Sequence, residues 1–236
     1  MRPAVSDAMV ARSSPAAEGL TWRHLRYAAL LTLLVNVLFV VVYGGADYLT
    51  GLRAHQLRLY VPQELSIPLW PWTIVIYDSL YLLFVLAPFV LTTKESFRGL
   101  ALTASGTIVT AGVCFLLLPA RLGFPPPSVT GPFRSIFMAS DRLNLDYNLV
   151  PSLHVALAAV CLQAFWEGRS MPVRVALVLW GLALALSTIF THQHHVLDVV
   201  AGAVLARVMF LLLHRRSVPK ILQSGCLLRR RQPHAG

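Results

Sequence analysis

Charged residues are scarce in this chain, and acidic residues are scarcer than basic ones. Only 13% of its 236 residues are Asp, Glu, Lys or Arg, whereas 56% are hydrophobic. A soluble domain carries about 25% charged residues, so this chain has too few charges to cover a water-facing surface. The mean hydropathy of +0.65 agrees with that. The composition therefore excludes a disordered chain and argues against a soluble globule.

Cysteines are also few, which excludes a disulfide framework. The chain has three, Cys114, Cys161 and Cys226, and their spacing matches no zinc-binding motif. Cys114 and Cys161 lie inside apolar runs, where we expect each to act as a small buried hydrophobic residue.

Six apolar runs predict an all-α fold, an integral membrane bundle of six transmembrane helices. A helix needs about 17–25 mostly apolar residues to cross a bilayer. The fourth run is short, and it reaches that length only if Pro151 and Ser152 begin the helix and Glu167 lies at its far end. The runs cover residues 27–43, 72–91, 100–118, 153–166, 173–191 and 195–213.

The basic residues predict the orientation of these spans. A net charge of +10 is typical of proteins that bind nucleic acids. Most basic residues here lie between apolar runs, so we expect no nucleic-acid partner. Six spans put both termini on one side. That side holds fourteen of the 20 Lys and Arg residues, the other side holds five, and Arg207 lies in the last span. Because loops rich in Lys and Arg stay cytoplasmic, both termini are predicted to be cytoplasmic.

Three regions follow from this topology. Residues 1–22 form an N-terminal cytoplasmic tail, residues 23–214 the six-span membrane domain, and residues 215–236 a basic cytoplasmic tail. The excess of Arg over Lys and the lack of targeting features favour a bacterial inner membrane. The sequence does not predict an oligomeric state.

Two polar clusters occur where the predicted spans meet the outer side. Residues 151–154 (Pro-Ser-Leu-His) open the fourth run, and residues 187–198 lead from the fifth run into the sixth. The topology places both clusters at one membrane depth, below the outer connections 44–71 and 119–150. The second connection has no strong hydrophobic pattern. Because ionisable residues inside spans are costly, we expect an active site at the outer membrane–water interface.

The residue types in these clusters suit displacement at phosphorus. His194 and Asp198 are four residues apart, so on a helix the carboxylate can hold one imidazole N–H and leave the other nitrogen free to attack. His154 could protonate the leaving group. An anionic phosphate needs donors, which the outer connection and the start of the fourth helix supply. These candidate phosphate ligands are Arg121, Arg134, Arg142 and Ser152.

Other assignments remain open for several polar residues. His192, His194 and His195 could hold zinc, although no Cys or Glu accompanies them. Asp78, inside the second run, could pair with an outer arginine, contact substrate or make a structural hydrogen bond. Asp146 and Asn148 could orient a headgroup or cap the fourth helix. Ser187 and His195 complete the set of possible supporting residues.

These clusters resemble the motifs of the type-2 phosphatidic acid phosphatase superfamily. The second motif of that family, Pro-Ser-x-His, is matched by residues 151–154, and the Ser, His and Asp of its third motif are matched by Ser187, His194 and Asp198. The resemblance implies that His194 forms a phosphohistidine, Asp198 orients it and His154 protonates the leaving group. It also implies six helices and no metal or other cofactor.

Two departures from the family motifs leave the phosphate ligands open. Thr188 replaces the arginine of the third motif, and Leu-Pro-Ala-Arg at residues 118–121 stands where the first motif is expected. Residues 148–154 and 191–202 are more similar to the branch that contains inositol-phosphorylceramide synthases, which transfer a phospho-headgroup between lipids.

The sequence therefore predicts a lipid phosphatase in the bilayer, acting on a membrane lipid phosphate. A headgroup phosphotransferase is the alternative within the same chemistry. A transporter or channel with a histidine proton relay, and a structural membrane protein, are the alternatives from other classes.

Overall fold

The computed structural model describes residues 20–214, and helices account for most of that length. They run in chain order as α1 (Trp22–Gly51), α2 (Ile74–Tyr77), α3 (Ser79–Val90), α4 (Lys94–Leu117), α5 (Arg134–Asp141), α6 (Leu153–Phe165), α7 (Met171–Phe190) and α8 (Val196–Met209). A short π-helical turn, Phe210–His214, continues α8. Within these described residues no strand forms, and a single bridge pairs Leu57 with Ala120. The predicted tails lie almost entirely outside the described residues.

Five helical stretches between residues 20 and 214 are long and apolar enough to cross a membrane. Each overlaps one of the predicted apolar runs. They are Trp22–Gly51, Pro71–Val90, Lys94–Leu117, Met171–Phe190 and Val196–His214. The prediction of a helical integral membrane protein is thereby confirmed.

The fourth predicted run forms α6, which has 13 residues and is too short to cross a bilayer unaided. The expectation that Pro151 and Ser152 belong to this helix is wrong. Ser152 is instead its N-cap, because its hydroxyl accepts a hydrogen bond from the N–H of Val155 at 3.3 Å. The helix also ends at Phe165, before Glu167.

Helix α6 lies at the centre of the bundle. Ten of its 13 residues are buried, because α3, α4, α7 and α8 all pack against it. Helix α1 packs mainly on α4 and leaves most of its apolar surface exposed, as suits a helix that faces lipid. Because α1 continues to Gly51, the connection predicted at residues 44–71 is shorter than expected.

Helices α1, α4 and α7 end, and α6 and α8 begin, at one end of the bundle, here called the site end. Two backbone hydrogen bonds of 2.9 Å join its segments, from Ser152 N–H to the Asp198 carbonyl and from Trp70 N–H to the Phe190 carbonyl. The connection at residues 119–150 also contains α5, which the sequence did not predict. Phe137 of α5 is fully buried, in a cluster with Ile74 of α2.

A glycine allows α6 and α8 to meet backbone to backbone at the site end. A Cβ added to Gly202 would collide with the carbonyl oxygen of Ser152, the residue that caps α6. Since a backbone atom in this position cannot move like the tip of a flexible side chain, the residue must be glycine for the two helices to approach this closely.

We expect Gly202→Ala to destabilise the protein by about 1–3 kcal/mol, the usual cost of overpacking a well-packed core. Gly45→Ala in α1 is the matched control, because a Cβ there meets nothing within 4 Å. An alanine inside a helix at an open position should be neutral or stabilising by up to about 1 kcal/mol. Thermal unfolding in detergent measures both variants, and equal melting temperatures would contradict the proposed close contact.

Candidate functional site

His194 and Asp198 form a hydrogen-bonded pair where α8 begins. Nδ1 of His194 lies 3.3 Å from Oδ2 of Asp198, and both side chains are buried. A carboxylate only accepts hydrogen bonds, so Nδ1 carries a proton, and in the neutral ring the lone pair of His194 is on Nε2. The same Oδ2 accepts the backbone N–H of His195 at 2.8 Å, which fixes the carboxylate in place.

A tight turn between α7 and α8 presents His194. The carbonyl of Thr188 accepts the N–H groups of both Gln193 (3.0 Å) and His194 (3.1 Å). The Thr188 hydroxyl is occupied as well, since it donates to the carbonyl of Ala185 at 2.8 Å, and the residue is fully buried. Thr188, which replaces the third-motif arginine, therefore supports the turn and does not offer a free donor for phosphate.

Tyr77 holds His154 in two ways. The two rings stack with centroids 3.8 Å apart, and Nε2 of His154 lies 2.9 Å from the Tyr77 carbonyl oxygen. Because a carbonyl only accepts, Nε2 carries a proton and donates it to this bond. Nδ1 is therefore the ring nitrogen of His154 through which a proton could pass to a substrate.

His154 and His194 line the same cavity of about 400 Å³, which lies between α1, α3, α4 and α6. Most of the wall is apolar, and its polar side chains are concentrated at the site end. This size and lining are typical of small-molecule sites, which combine an apolar wall with a few placed polar groups. The other residues of the polar end are Tyr43, Tyr77, Tyr81, Asn144 and Asn148.

The predicted phosphate ligands do not line this cavity. Arg134 and Arg142 are exposed, and Arg121 is half-buried on the connection that follows α4. Ser152 is fully buried, and its hydroxyl oxygen already caps α6. The role of these four residues in phosphate binding stays a prediction.

His195 forms a second pair, with a carboxylate from the first long connection. Its Nδ1 lies 3.1 Å from Oε2 of Glu64, and its Nε2 accepts the N–H of Gly123 at 3.0 Å. Glu64 Oε2 also accepts the N–H of Val196 at 2.9 Å. Both connections at the site end are thus tied to the start of α8 through one neutral imidazole.

Four parallel rings reinforce this attachment. Tyr60 stacks on one face of His195 and Phe124 on the other, with centroids 4.4 and 4.6 Å apart. His192 stacks on the far face of Phe124 at 4.0 Å. A Cβ on Gly123 would collide with the Tyr60 ring, so this glycine lets the second connection reach the stack.

The environments of His195 and Glu64 shift both pKa values downward. Burial lowers the pKa of His195 from its usual 6.5, although Asp198 and Glu64 oppose that shift. Burial raises the pKa of Glu64, but the N–H groups of Val196 and Val61 and the nearby His195 outweigh it, so the pKa falls below its usual 4.5. A neutral His195 beside an ionised Glu64 follows from these directions.

The remaining candidates have structural partners. Ser187 is buried and donates to the carbonyl of Leu184 at 2.7 Å. Asp78 accepts a hydrogen bond from Ser140, so its partner is a serine and not an arginine. Asn148 donates to the carbonyl of Tyr43 in α1 at 2.6 Å and does not cap α6. Asp146 is exposed.

The zinc alternative finds no support in this part of the chain. Between residues 20 and 214, no three His, Cys, Asp or Glu side chains are grouped so that they could hold a metal ion. His192 is held elsewhere, since its Nε2 lies 2.9 Å from the carbonyl oxygen of Ile67.

Three residues of the site escaped the sequence analysis. Tyr77 directly precedes the candidate residue Asp78. It was missed because it contacts His154 through its ring and its backbone carbonyl, and no sequence motif indicates such contacts. Glu64 lies in a polar stretch 131 positions from His195. Asn144 lies in the outer connection. The only sequence feature that could have pointed to it is its position four residues before Asn148.

Comparison with known proteins supports the family resemblance. The family model of the PAP2 superfamily matches residues 67–212, which is more than half of the chain. The matched segment begins before α2 and contains Tyr77, His154, His194 and Asp198. The resemblance predicted from the two sequence motifs is confirmed.

We expect His195 to make folding stability depend on pH. Because its folded pKa lies below 6.5, the unfolded chain takes up a proton first as the pH falls, so stability is full above that value and declines below it. His195→Phe keeps a stacking ring but cannot titrate, and it leaves Glu64 without that partner. The variant should be about 1–3 kcal/mol less stable at pH 7.5 and should have a shallower slope between pH 7 and 5.

Melting temperatures in detergent across this pH range test the prediction. His55→Ala is the control, because this histidine is exposed on the first connection, and it should keep the wild-type slope. Parallel curves for wild type and His195→Phe would show that His195 does not contribute to the pH dependence.

Proposed function

The chain belongs to the PAP2 superfamily, which supports a phosphatase-type phosphoryl-transfer activity, and we propose that it hydrolyses a lipid phosphate through a phosphohistidine at His194. We further propose that the reaction needs no metal. The observation that carries the proposal is that His194, with a free Nε2, and His154, with a free Nδ1, line one largely apolar cavity.

In the first step, the lone pair of His194 Nε2 attacks phosphorus while the bond from phosphorus to the lipid oxygen breaks. The electrons of that bond pass to the oxygen, which takes the proton from Nδ1 of His154. Asp198 accepts the Nδ1–H of His194 and stabilises the positive charge that develops on the ring. The products are phosphohistidine and a free lipid alcohol.

In the second step, water attacks phosphorus while neutral His154 takes one of its protons. The nitrogen–phosphorus bond breaks, its electrons return to Nε2 of His194, and inorganic phosphate leaves. Both histidines are then in their starting states. Arg121, Arg134 and Arg142 are proposed to neutralise the phosphate at the mouth of the cavity.

We propose that α6 is a membrane span in addition to the five longer ones, which brings the total to six. We also propose that the site end faces outward, with both termini in the cytoplasm of a bacterial cell. The asymmetry of basic residues supports this orientation. Helix α6 can remain in the bilayer despite its length because its neighbours, and not lipid, surround most of its surface.

We expect purified protein in detergent to release inorganic phosphate from a lipid phosphate. His194→Ala should abolish turnover, and His154→Ala should lower kcat by about 10²–10⁴-fold, the usual contribution of a general acid. His55→Ala, an exposed histidine at the same end of the bundle, should retain wild-type activity. Vanadate, which mimics five-coordinate phosphorus, should inhibit the wild type.

Labelled substrate with and without a polyol separates the hydrolase from a transferase. Label in free phosphate supports hydrolysis, and label in a new lipid supports transfer to an alcohol. Full turnover by His194→Ala would contradict the proposed nucleophile. Ion or solute flux without any phosphoryl turnover would instead favour the transporter alternative.

We also expect a bell-shaped dependence of kcat/KM on pH, because the first step needs a neutral His194 and a protonated His154. The His154→Ala variant should lose one limb of the profile, and a wild-type profile that is flat from pH 5 to 9 would contradict the paired roles.

A further inference from the structure

A second cavity lies on a different face of α6 from the one that His154 and His194 line. It is a groove of about 360 Å³ between α6, α7 and α8, and it shares no lining residue with the first cavity. Its lining residues Val178 and Leu182 are about half exposed, so the groove opens to the lipid-facing surface. Its width comes from five small lining residues, Ala158, Ala159, Gly181, Ala185 and Ala203.

Arg207 is the only charged residue among the described residues that line this groove. Its Nη1 donates to Oε1 of Gln163 at 3.1 Å, and Nε2 of Gln163 donates to the Ala159 carbonyl at 3.1 Å. Because both ends of this amide are engaged, Gln163 holds the guanidinium beside the groove. A guanidinium has five N–H donors, so donors remain for a ligand.

Arg207 is exposed and lies within the last membrane-spanning stretch, Val196–His214. It is seven residues, about 10 Å, from the end of that stretch and eleven residues, about 16 Å, from its start at the site end. Within residues 20–214 no Asp or Glu forms an ion pair with it, since both ion pairs there join a histidine to a carboxylate. A cation at this depth is costly without an anionic partner. The phosphate of a lipid can supply that partner.

The groove has a length that suits one acyl chain. Its α6 wall runs from Val155 to Gln163, eight residues or about 12 Å along the helix. One leaflet contributes about 15 Å to a hydrocarbon core of about 30 Å. Trp166 lines the groove at its Arg207 end, and Cζ of Arg174 lies 5.3 Å from the centre of the Trp166 ring. A second positive charge therefore lies beside the polar end of the groove.

We propose that this groove binds an anionic phospholipid from the leaflet opposite the site end, with one acyl chain in the groove and the phosphodiester on Arg207. Charge complementarity selects this occupant, because a phosphate accepts hydrogen bonds from a guanidinium and basic pockets between membrane helices bind anionic headgroups. A zwitterionic lipid with the same chains would bring a cation toward Arg207 and Arg174. The site is independent of the proposed function, since no residue that lines the groove takes part in phosphoryl transfer.

Native mass spectrometry of the full chain tests the preference, since it counts the lipids that stay bound. The protein in neutral detergent is offered equal amounts of dioleoyl phosphatidylglycerol and dioleoyl phosphatidylcholine, which share their acyl chains. Wild type should retain roughly 10-fold more of the anionic lipid, the effect of about one charge-assisted hydrogen bond. Arg207→Leu should lower that ratio to about 1–3. Arg98→Leu should keep it, because this exposed arginine near the start of α4, at the same end of the bundle, does not line the groove.

Two phenylalanine substitutions on α8 test whether the acyl chain lies in the groove. Ala203→Phe places a ring there and should reduce bound phosphatidylglycerol roughly 10-fold, since the chain then loses its apolar contact. Val204→Phe is the matched control, because this neighbouring residue is 57% exposed and does not line the groove. The headgroup without chains, glycerophosphoglycerol, should not displace the lipid at the same concentration. Melting temperatures in lipid-free detergent identify any variant that fails to fold.

A wild-type ratio near 1 would overturn the proposal without the need for any variant. A ratio that persists in both Arg207→Leu and Ala203→Phe would overturn it as well, because the lipid would then lie elsewhere, such as in the cavity of His194. A lipid-free dimer would show instead that a second copy of the chain covers the groove. Displacement by glycerophosphoglycerol would show that the site binds an anion without its acyl chain, which also contradicts the proposal.

Discussion

One residue, Asp198, holds together the segments on which the site depends, through a carboxylate oxygen and its backbone carbonyl. Oδ2 of Asp198 accepts the backbone N–H of His195 and lies within hydrogen-bond distance of Nδ1 of His194. The backbone carbonyl of the same residue accepts the N–H of Ser152 at the start of α6. Asp198 thus fixes the tautomer of His194, caps α8 and joins α8 to the helix that carries His154. Loss of this carboxylate would remove the hydrogen bonds that hold the His194 ring and the N–H of His195.

The position of His154 depends on a short helix that is buried by its neighbours. Because α6 has only 13 residues, its placement comes from packing and from the Gly202 contact with Ser152. Tyr77, the last residue of α2, then sets the ring orientation of His154. Three elements far apart in sequence therefore determine the direction of one imidazole. This degree of support is what a preorganised catalytic group requires.

The sequence predicted the parts of this protein that have a short-range or compositional signal. Apolar runs located the membrane helices, and the spacing of His194 and Asp198 placed them within reach, because a helix brings residues four apart together. Contacts that join distant segments left no such signal. Glu64 reaches His195 from the first long connection, and Tyr77 acts through its backbone carbonyl and ring. The short helix α5 was missed because eight residues carry little periodicity.

The adjacent residues His194 and His195 each face a carboxylate through Nδ1, so Nδ1 carries a proton in both rings. They differ in the second nitrogen, which in His195 accepts the N–H of Gly123. In the described region no comparable donor occupies Nε2 of His194. Two chemically identical neighbours thus acquire unequal nucleophilicity from one backbone amide, contributed by a loop more than 70 residues away. An electrophile that reached both rings would find the Nε2 lone pair of His195 already engaged by the Gly123 N–H.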